Sequence, residues 1–318
     1  MMKTHLLNPG KLANMALARL AQQNYYSAKA YYHHKLHRST LEAKEPPLLI
    51  YQMGKVGSSS VQASLKALNL DMPIYHPHFL TQDFMDLYEQ KRKKYFGTNR
   101  ISELKHIWQC QYLSKQIEKG LNGKKWRAVT LVREPIARNI SAFFETLEVE
   151  VLSETQFKLT ADIRSTYNFE ITVQLDDVEE LIEIFLREFD HETPLVFFDR
   201  EIKGVLGVDV FATEFPDSIG YKIYEGAEVD VLLIRLENLT ECARDAFKEF
   251  LNVEDFSLTN TNIGSEKDYA PIYKKLKDSI RLPDSYIDEM YTSKYTRHFY
   301  SEAEIARFET RWRRNMGS

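Results

Sequence analysis

The chain has 318 residues, of which 43% are hydrophobic and 28% charged, and its formal net charge is −4. This composition is typical of a soluble globular protein, and the small negative charge argues against a nucleic-acid partner. Two distant cysteines, Cys110 and Cys242, argue against a disulfide framework or a cysteine-built zinc site. The sequence has no apolar run typical of a signal peptide or a transmembrane segment, so we expect a cytoplasmic protein.

Residues 1–45 are predicted to form an N-terminal helical arm. The segment from Pro9 to about Thr40 is helix-permissive and ends in basic residues. Such an arm packs on its own domain or on a second subunit, which makes it the candidate contact for a homo-oligomer; binding to a membrane surface or a glycan is the alternative. The prolines at 46 and 47 end the arm. We predict that residues 46–318 form one α/β domain, with a helical C-terminal part from about 254 to 318.

The main domain begins with a strand, a turn rich in glycine and serine, and a helix. An apolar run, Leu48–Tyr51, precedes Gly54–Ser60, and the residues from Val61 to Leu68 fit a helix. Glycine lets backbone N–H groups and a helix N-terminus converge on an anion, so the turn predicts a phosphate-binding loop. The nucleotide-triphosphatase motif places lysine after its last glycine, whereas Lys55 precedes Gly57. An ordinary turn is the alternative interpretation.

A second short strand, Met72–His76, is predicted to end beside two histidines. His76 and His78 alternate along an extended segment, so both rings are expected to face one cleft. Imidazole titrates near neutral pH and can serve as a general base. Two hydrogen-bonded histidines at a strand end are the alternative. Residues 81–120 are polar and predicted to be helical.

The next predicted strand, Trp126–Val132, runs into Arg133 and a helix with Pro135 in its first turn. Arg133 therefore lies at the carboxyl end of a strand, where open α/β sheets bind ligands, and Ser141 follows about two helical turns on. A salt bridge with Glu134 or another carboxylate at a helix end is the alternative role of Arg133.

The remaining elements predict the fold class. Helices are expected near Asp176–Phe189 and Pro194–Val205, then a strand, Val229–Leu236, and a helix through Leu251. Strands that alternate with helices predict an α/β protein, a parallel sheet flanked by helices on both faces. A polar loop that contains Lys267 separates this part from the C-terminal helices.

Three segments together resemble the sulfotransferases that use 3′-phosphoadenosine 5′-phosphosulfate (PAPS). The family's loop, Lys-x-Gly-[Ser/Thr]-[Ser/Thr], is matched by Lys55–Ser59, and its arginine at a strand end, with a serine eight positions on, by Arg133 and Ser141. Arg235–Leu239 is a weaker third match. Ser60 stands where the small-phenol enzymes usually carry tryptophan, so the chain looks closer to carbohydrate and bacterial capsular-polysaccharide-associated members. The resemblance implies the P-loop-type sulfotransferase fold.

The resemblance also implies roles for individual residues. The loop would hold the 5′-phosphosulfate, with Lys55 neutralising charge on the leaving phosphate. Arg133 and Ser141 would bind the 3′-phosphate, and Lys267 would assist them. The cofactor-binding residues implied are Lys55, Val56, Gly57, Ser58, Ser59, Ser60, Arg133, Ser141 and Lys267.

The expected reaction is in-line transfer of the sulfuryl group to a hydroxyl of a carbohydrate or polysaccharide acceptor. The family's base commonly follows the second strand. This position favours His78 as the base and His76 as its helper over the reverse assignment, and His106 is a further candidate for the base. No metal is required, and His33, His34 and His37 are interpreted as a solvated helix end. The alternatives are a P-loop kinase or nucleotide triphosphatase and a non-catalytic nucleotide-binding module on the same fold.

Overall fold

The computed structural model describes residues 25–96, 101–162, 168–259 and 269–313. The strands in chain order are β1 (Leu48–Ile50), β2 (Ile74–Tyr75), β3 (Trp126–Val132), β4 (Leu147–Val151), β5 (Gln156–Ala161), β6 (Glu170–Gln174), β7 (Tyr221–Tyr224) and β8 (Val229–Arg235). The helices are α1 (Tyr25–Glu42), α2 (Ser58–Ala67), α3 (Gln82–Phe96), α4 (Ile101–Glu118), α5 (Pro135–Glu145), α6 (Glu179–Glu188), α7 (Thr193–Phe197), α8 (Leu239–Leu251), α9 (Ala270–Ser279), α10 (Asp284–Thr292), α11 (Lys294–Phe299) and α12 (Glu302–Arg313).

The main sheet has five strands in the order β2-β1-β3-β8-β7. The first four run parallel, with Ile50 opposite Val129 and Val129 opposite Leu232. Side chains of β1, β3 and β8 are almost all buried, because helices cover both faces of the sheet, and this explains their nearly continuous apolar sequences. The predicted α/β class with a parallel sheet flanked by helices is confirmed. Strand β7 pairs antiparallel with β8 and forms one edge of the main sheet; this strand was not predicted.

A second sheet, β4-β5-β6, is antiparallel and was not predicted. Burial alternates along β5, with Phe157 and Leu159 inward and the residues between them more exposed. These two side chains share a hydrophobic cluster with Phe143 of α5 and with the C-terminal helices. The alternation is the usual signal of a half-buried strand, although no strand was predicted in this part of the chain.

The N-terminal helix packs on the main body of the protein. Tyr25 of α1 lies 5.5 Å, between ring centroids, from Trp108 of α4, and His33 Nε2 is 2.9 Å from the Trp108 carbonyl oxygen. Leu36 joins the core below the main sheet. Residues 1–24 of the predicted arm lie outside the described residues. The domain boundary at residue 45 and the homo-oligomer contact stay predictions.

The segment after α7 differs in detail from the predicted helix Pro194–Val205. A π-helical stretch, Phe198–Lys203, separates α7 from a final turn, Gly204–Leu206. Such insertions are rare and occur frequently at functional sites. Below, "the π segment" means Phe198–Lys203. The C-terminal part is helical as predicted, and none of the described helices is long and apolar enough to cross a membrane.

Candidate functional site

A cleft of about 650 Å³ opens at the carboxyl ends of β1, β2 and β3. Most of the predicted site residues line it together: Lys55, Gly57, Ser58, Ser59, Ser60, His76, His78, Arg133 and Ser141. Val56 is fully buried and does not line the cleft, and Lys267 lies outside the described residues. Residues brought from three strand ends therefore face one space, which is the expected position of a ligand in an open α/β sheet.

The loop between β1 and α2 has a left-handed backbone at three positions. The φ angles are +84° at Gly54, +61° at Lys55 and +87° at Gly57. A Cβ at Gly57 would lie 2.5 Å from Leu236 Cδ1, so this position needs glycine for space as well as for conformation. Gly57 also begins α2 without a side-chain cap. The Ser60 N–H donates to the Gly57 carbonyl oxygen at 3.2 Å, whereas the N–H groups of Ser58 and Ser59 are the donors that an anion at the helix N-terminus would use.

The Lys55 side chain is held by a carboxylate of the same cleft. Its Nζ lies 2.9 Å from Glu145 Oε2, at the end of α5, and the side chain is 25% exposed. This pair joins the loop to the helix that follows β3. An anion at the loop would compete with Glu145 for the positive charge of the ammonium group, which has three N–H donors.

Two arginines hold the carbonyl groups of the loop. Arg133 Nη1 donates to the Lys55 carbonyl oxygen at 2.9 Å. Arg138, which is buried, donates through Nη2 to the Met53 carbonyl oxygen at 2.8 Å and through Nε to the Gly54 carbonyl oxygen at 3.3 Å. Arg138 was not predicted as a site residue. The available signal was a pair of polar residues, Arg138 and Asn139, in the middle of an otherwise apolar helix.

Glu134 caps α5 instead of pairing with Arg133. Its carboxylate accepts hydrogen bonds from the backbone N–H groups of Ile136 and Ala137, both at 2.8 Å, and from the Tyr291 hydroxyl at 2.8 Å. Burial raises the pKa of Glu134 above its ordinary value. The cap stabilises the first turn of α5, which is the helix that carries Arg138 and Ser141 into the cleft.

His76 and His78 meet at the side chain of Gln52. The Gln52 amide nitrogen is 2.9 Å from His76 Nε2 and 2.8 Å from His78 Nδ1, and the ring centroids of the histidines are 5.0 Å apart. The Gly54 N–H donates to Gln52 Oε1, which directs the amide NH₂ toward the two rings. His76 Nε2 is also 3.0 Å from Ser58 Oγ. Both histidines line the cleft, and each lies within hydrogen-bond distance of the Gln52 amide.

Both histidines are neutral at physiological pH. Burial, with added repulsion from His78, His106 and Lys66, lowers the pKa of His76 to about 3. Burial likewise lowers the pKa of His78, while a contact with the Gln52 carbonyl opposes this effect. The His106 ring lies 5.5 Å from that of His78, and it is not among the residues that line the cleft.

A buried carboxylate that was not predicted organises the segment after His78. Glu201, on the π segment, accepts hydrogen bonds from the backbone N–H groups of Leu80 at 2.8 Å and Thr81 at 3.2 Å, and from the Tyr51 and Thr81 hydroxyls. Glu201 therefore links the end of β1 to the chain that leaves the histidines. Nothing in the local sequence distinguishes it, since its four donors come from residues more than 100 positions away.

Replacing Glu201 by alanine should lower the free energy of unfolding by at least about 2 kcal/mol, because buried donors would lose their acceptor. Glu201→Gln, which keeps one acceptor oxygen, should lose clearly less. Urea unfolding followed by circular dichroism measures both values. Equal losses for the two variants would contradict the assignment of the effect to these hydrogen bonds.

No group of three histidine, cysteine, aspartate or glutamate side chains is arranged to hold a metal ion within the residues that the structure describes. Cys110 is buried, which raises the pKa of its thiol to about 12 and keeps it protonated.

Residues 168–301 match the model of the NKWYS family, described as "Putative capsular polysaccharide synthesis protein". The matched span runs from β6 to α11 and includes Glu201, but it excludes the Lys55 loop, the histidines and Arg133. No curated protein and no solved structure matches the chain. Over residues 168–301, less than half of its length, the chain is similar to a family associated with the synthesis of capsular polysaccharide.

Proposed function

We propose that the protein is a PAPS-dependent sulfotransferase that sulfates a hydroxyl of a carbohydrate in the production of a capsular polysaccharide. One observation carries the proposal: two anion-binding groups from different strand ends frame the same cleft. The first is the left-handed loop with the uncapped start of α2, and the second is Arg133 with Ser141. A nucleotide with phosphates at both its 5′ and 3′ positions needs two such groups. The description of the NKWYS family supports a polysaccharide acceptor.

The residues fit the cofactor as follows. The loop N–H groups and the serine hydroxyls would hold the 5′-phosphosulfate, and Lys55 would leave Glu145 to neutralise the charge that develops on the leaving phosphate. Arg133 and Ser141 would bind the 3′-phosphate. Arg138 would position the loop, because its hydrogen bonds to the Met53 and Gly54 carbonyl oxygens keep these oxygens away from the anion.

The histidines would supply the base. Transfer forms a bond between the acceptor oxygen and sulfur, breaks the bond between sulfur and the 5′-phosphate oxygen, and passes the hydroxyl proton to an imidazole nitrogen. His78 Nδ1 lies 3.2 Å from the Gln52 carbonyl oxygen. The Gln52 amide also lies 2.8 Å from this nitrogen, so the base role requires the tautomer in which Nδ1–H donates to the carbonyl and the amide NH₂ serves His76. His78 Nε2 then keeps its lone pair for the acceptor. His76, next to Ser58, would assist by orienting the loop.

The binding experiment compares 3′-phosphoadenosine 5′-phosphate (PAP) with ATP by calorimetry. PAP should bind at least roughly tenfold more tightly than ATP, and Lys55→Ala and Arg133→Ala should each weaken PAP binding roughly tenfold or more, because each removes a charge-assisted contact. Lys158→Ala is the matched control, since this lysine pairs with Glu170 on the antiparallel sheet. Equal affinities for PAP and ATP that neither cleft variant changes would overturn the proposal.

The same preparation tests the other two functions. Magnesium-dependent ATP turnover would instead support a kinase or nucleotide triphosphatase, which must place its lysine and a magnesium-binding hydroxyl differently. Tight PAP binding without transfer to any of a panel of glycans and small alcohols, in assays with labelled PAPS, would support a non-catalytic nucleotide-binding module.

A further inference from the structure

A second groove, of about 550 Å³, adjoins the cleft at Arg200 of the π segment, which lines both spaces. The two spaces meet at Arg200 and flank the same segment, residues 79–84. Phe79 and Phe84 face the cleft while residues 80–83 between them face the groove, and on the opposite side Arg200 is followed by the groove residues Gly204 and Val205. The groove therefore lies next to the cleft, beside the segment that follows His78.

The size of the cleft limits what it can hold. A volume of 650 Å³ is that of a site for one ligand of drug size, and a bisphosphorylated nucleotide with one reacting sugar would occupy much of it. Any further sugars of the acceptor must extend beyond the cleft, and the groove beside Arg200 can hold them. The buried Glu201 holds this groove in shape, because it bonds the backbone of Leu80 and Thr81 to the π segment.

The lining of the two spaces suits sugar rings. The Phe79 and Phe84 rings stack at 5.8 Å between centroids, and the Arg200 guanidinium lies 4.8 Å from the Phe84 centroid. An aromatic face accommodates the apolar side of a sugar, while neighbouring polar groups bond its hydroxyls. The described polar residues of the groove are Thr81, Gln82, Asp83, Ser114, Glu118, Asp199 and Arg200.

The charges of the groove favour uncharged sugars. Among its described residues, three carboxylates, those of Asp83, Glu118 and Asp199, face one guanidinium, that of Arg200. Lys294 Nζ, 3.2 Å from the Asp199 carboxylate, compensates only one of them. A polymer with a carboxylate on every sugar would meet like charge along the groove, whereas neutral hydroxyls can donate to these carboxylates.

We propose that the acceptor is an oligosaccharide of at least three sugars, which runs from the histidines past Arg200 into the groove and presents uncharged sugars there. This inference rests on the proposed function, because the reacting sugar is placed by the histidines. The groove then acts as a subsite that selects growing or finished chains over monosaccharides.

The experiment measures binding of fragments of two and five sugars, prepared by partial hydrolysis of a polysaccharide that contains uronic acids, to the PAP-bound protein by calorimetry. A second sample of the same fragments has its uronic acids chemically reduced to neutral sugars. The test variant is Gly204→Phe. Gly204 is exposed and helical, and an added Cβ would meet only the Asp199 carbonyl oxygen at 3.4 Å, so the ring can extend into the groove without disturbing the fold. Glu302→Phe, on the exposed face of α12, is the matched control.

We expect the five-sugar fragment to bind roughly tenfold more tightly than the two-sugar fragment, and Gly204→Phe to abolish that gain while Glu302→Phe retains it. Reduced fragments should bind at least as well as native ones. Equal affinity at both lengths, an unchanged gain in Gly204→Phe, no binding of any fragment, or tighter binding of the acidic set would each overturn the inference. Failure of PAP itself to bind would instead reject the proposed function, so the two failures are distinguishable.

Discussion

Replacing His78 by alanine is expected to lower the rate of sulfuryl transfer by roughly 10² to 10⁴-fold, the usual contribution of a positioned general base. The reason is that His78 lines the cleft and that, in the proposed tautomer, Nδ1–H donates to the Gln52 carbonyl and leaves Nε2 for the acceptor. PAP affinity should change little, since the anion-binding groups remain. Transfer from labelled PAPS, measured with PAP affinity on the same samples, separates the two effects.

His76→Ala is the matched comparison. His76 contacts Ser58 of the loop, so its loss should weaken PAP binding and reduce the rate less than the loss of His78. If both variants retained full transfer, the base would have to be another group, even if the sulfotransferase proposal were right. A larger loss for His76→Ala at saturating PAPS would reverse the assignment of base and helper.

The pH profile provides a second check on the same group. A general base works in its deprotonated form, so activity is lost as the pH falls through the pKa of the folded protein. Burial lowers the pKa of His78 below its usual 6.5. The acidic limb of the profile is therefore expected below pH 6.5, and a limb above this value would indicate a different base.

Replacing Arg235 by alanine is expected to reduce the free energy of unfolding by about 3 kcal/mol. The half-buried Glu304 would lose its closest ion-pair partner and keep only Ser301 and the more distant Arg307. Arg235, at the end of β8, is 2% exposed and forms an ion pair with Glu304 of α12. Its Nη1 also donates to the Phe299 carbonyl oxygen at 3.0 Å, and the guanidinium stacks on Tyr300 with 4.8 Å to the ring centroid. Urea unfolding measures the loss.

Arg313→Ala is the matched control for Arg235. Arg313 pairs with Asp284 and Asp288 of α10, but these carboxylates are about 60% exposed, so its loss should cost less than about 1 kcal/mol. The double variant Arg235→Ala/Glu304→Ala should recover part of the loss, since no unpaired charge remains. Similar effects for Arg235→Ala and Arg313→Ala would contradict this account.

The third sequence match, Arg235–Leu239, thus has a structural role in the described protein. Glu237 Oε1 accepts a hydrogen bond from the Glu134 N–H at 2.8 Å, and its Oε2 accepts one from the Tyr300 hydroxyl at 3.1 Å. Together with Arg235, Glu237 connects the C-terminal helices to the ends of the strands that form the cleft. A resemblance in this segment therefore supports the fold more than the reaction.

Elements with strong local signals were predicted closely. Strand β3 was expected at Trp126–Val132 and is found there, and the strand, loop and helix around Lys55 have the predicted order. These segments combine buried apolar runs with turn residues whose backbone preferences act locally. The antiparallel sheet was not predicted, because pairing between strands, rather than local preference, decides whether short alternating segments form a sheet.

For the site, the sequence by itself determined the loop, its unusual lysine position, the paired histidines and the arginine at a strand end, because each follows from spacing along the chain. Only the tertiary structure showed that they share one cleft, that Arg138 and Glu201 hold the loop and the histidine segment, and that a groove adjoins the cleft at Arg200. The physical reason is that buried hydrogen bonds and cavities depend on partners far apart in the chain. Glu201 and its acceptor role cannot be read from neighbouring residues, since its donors reach it only after β1, α3 and the π segment have packed together.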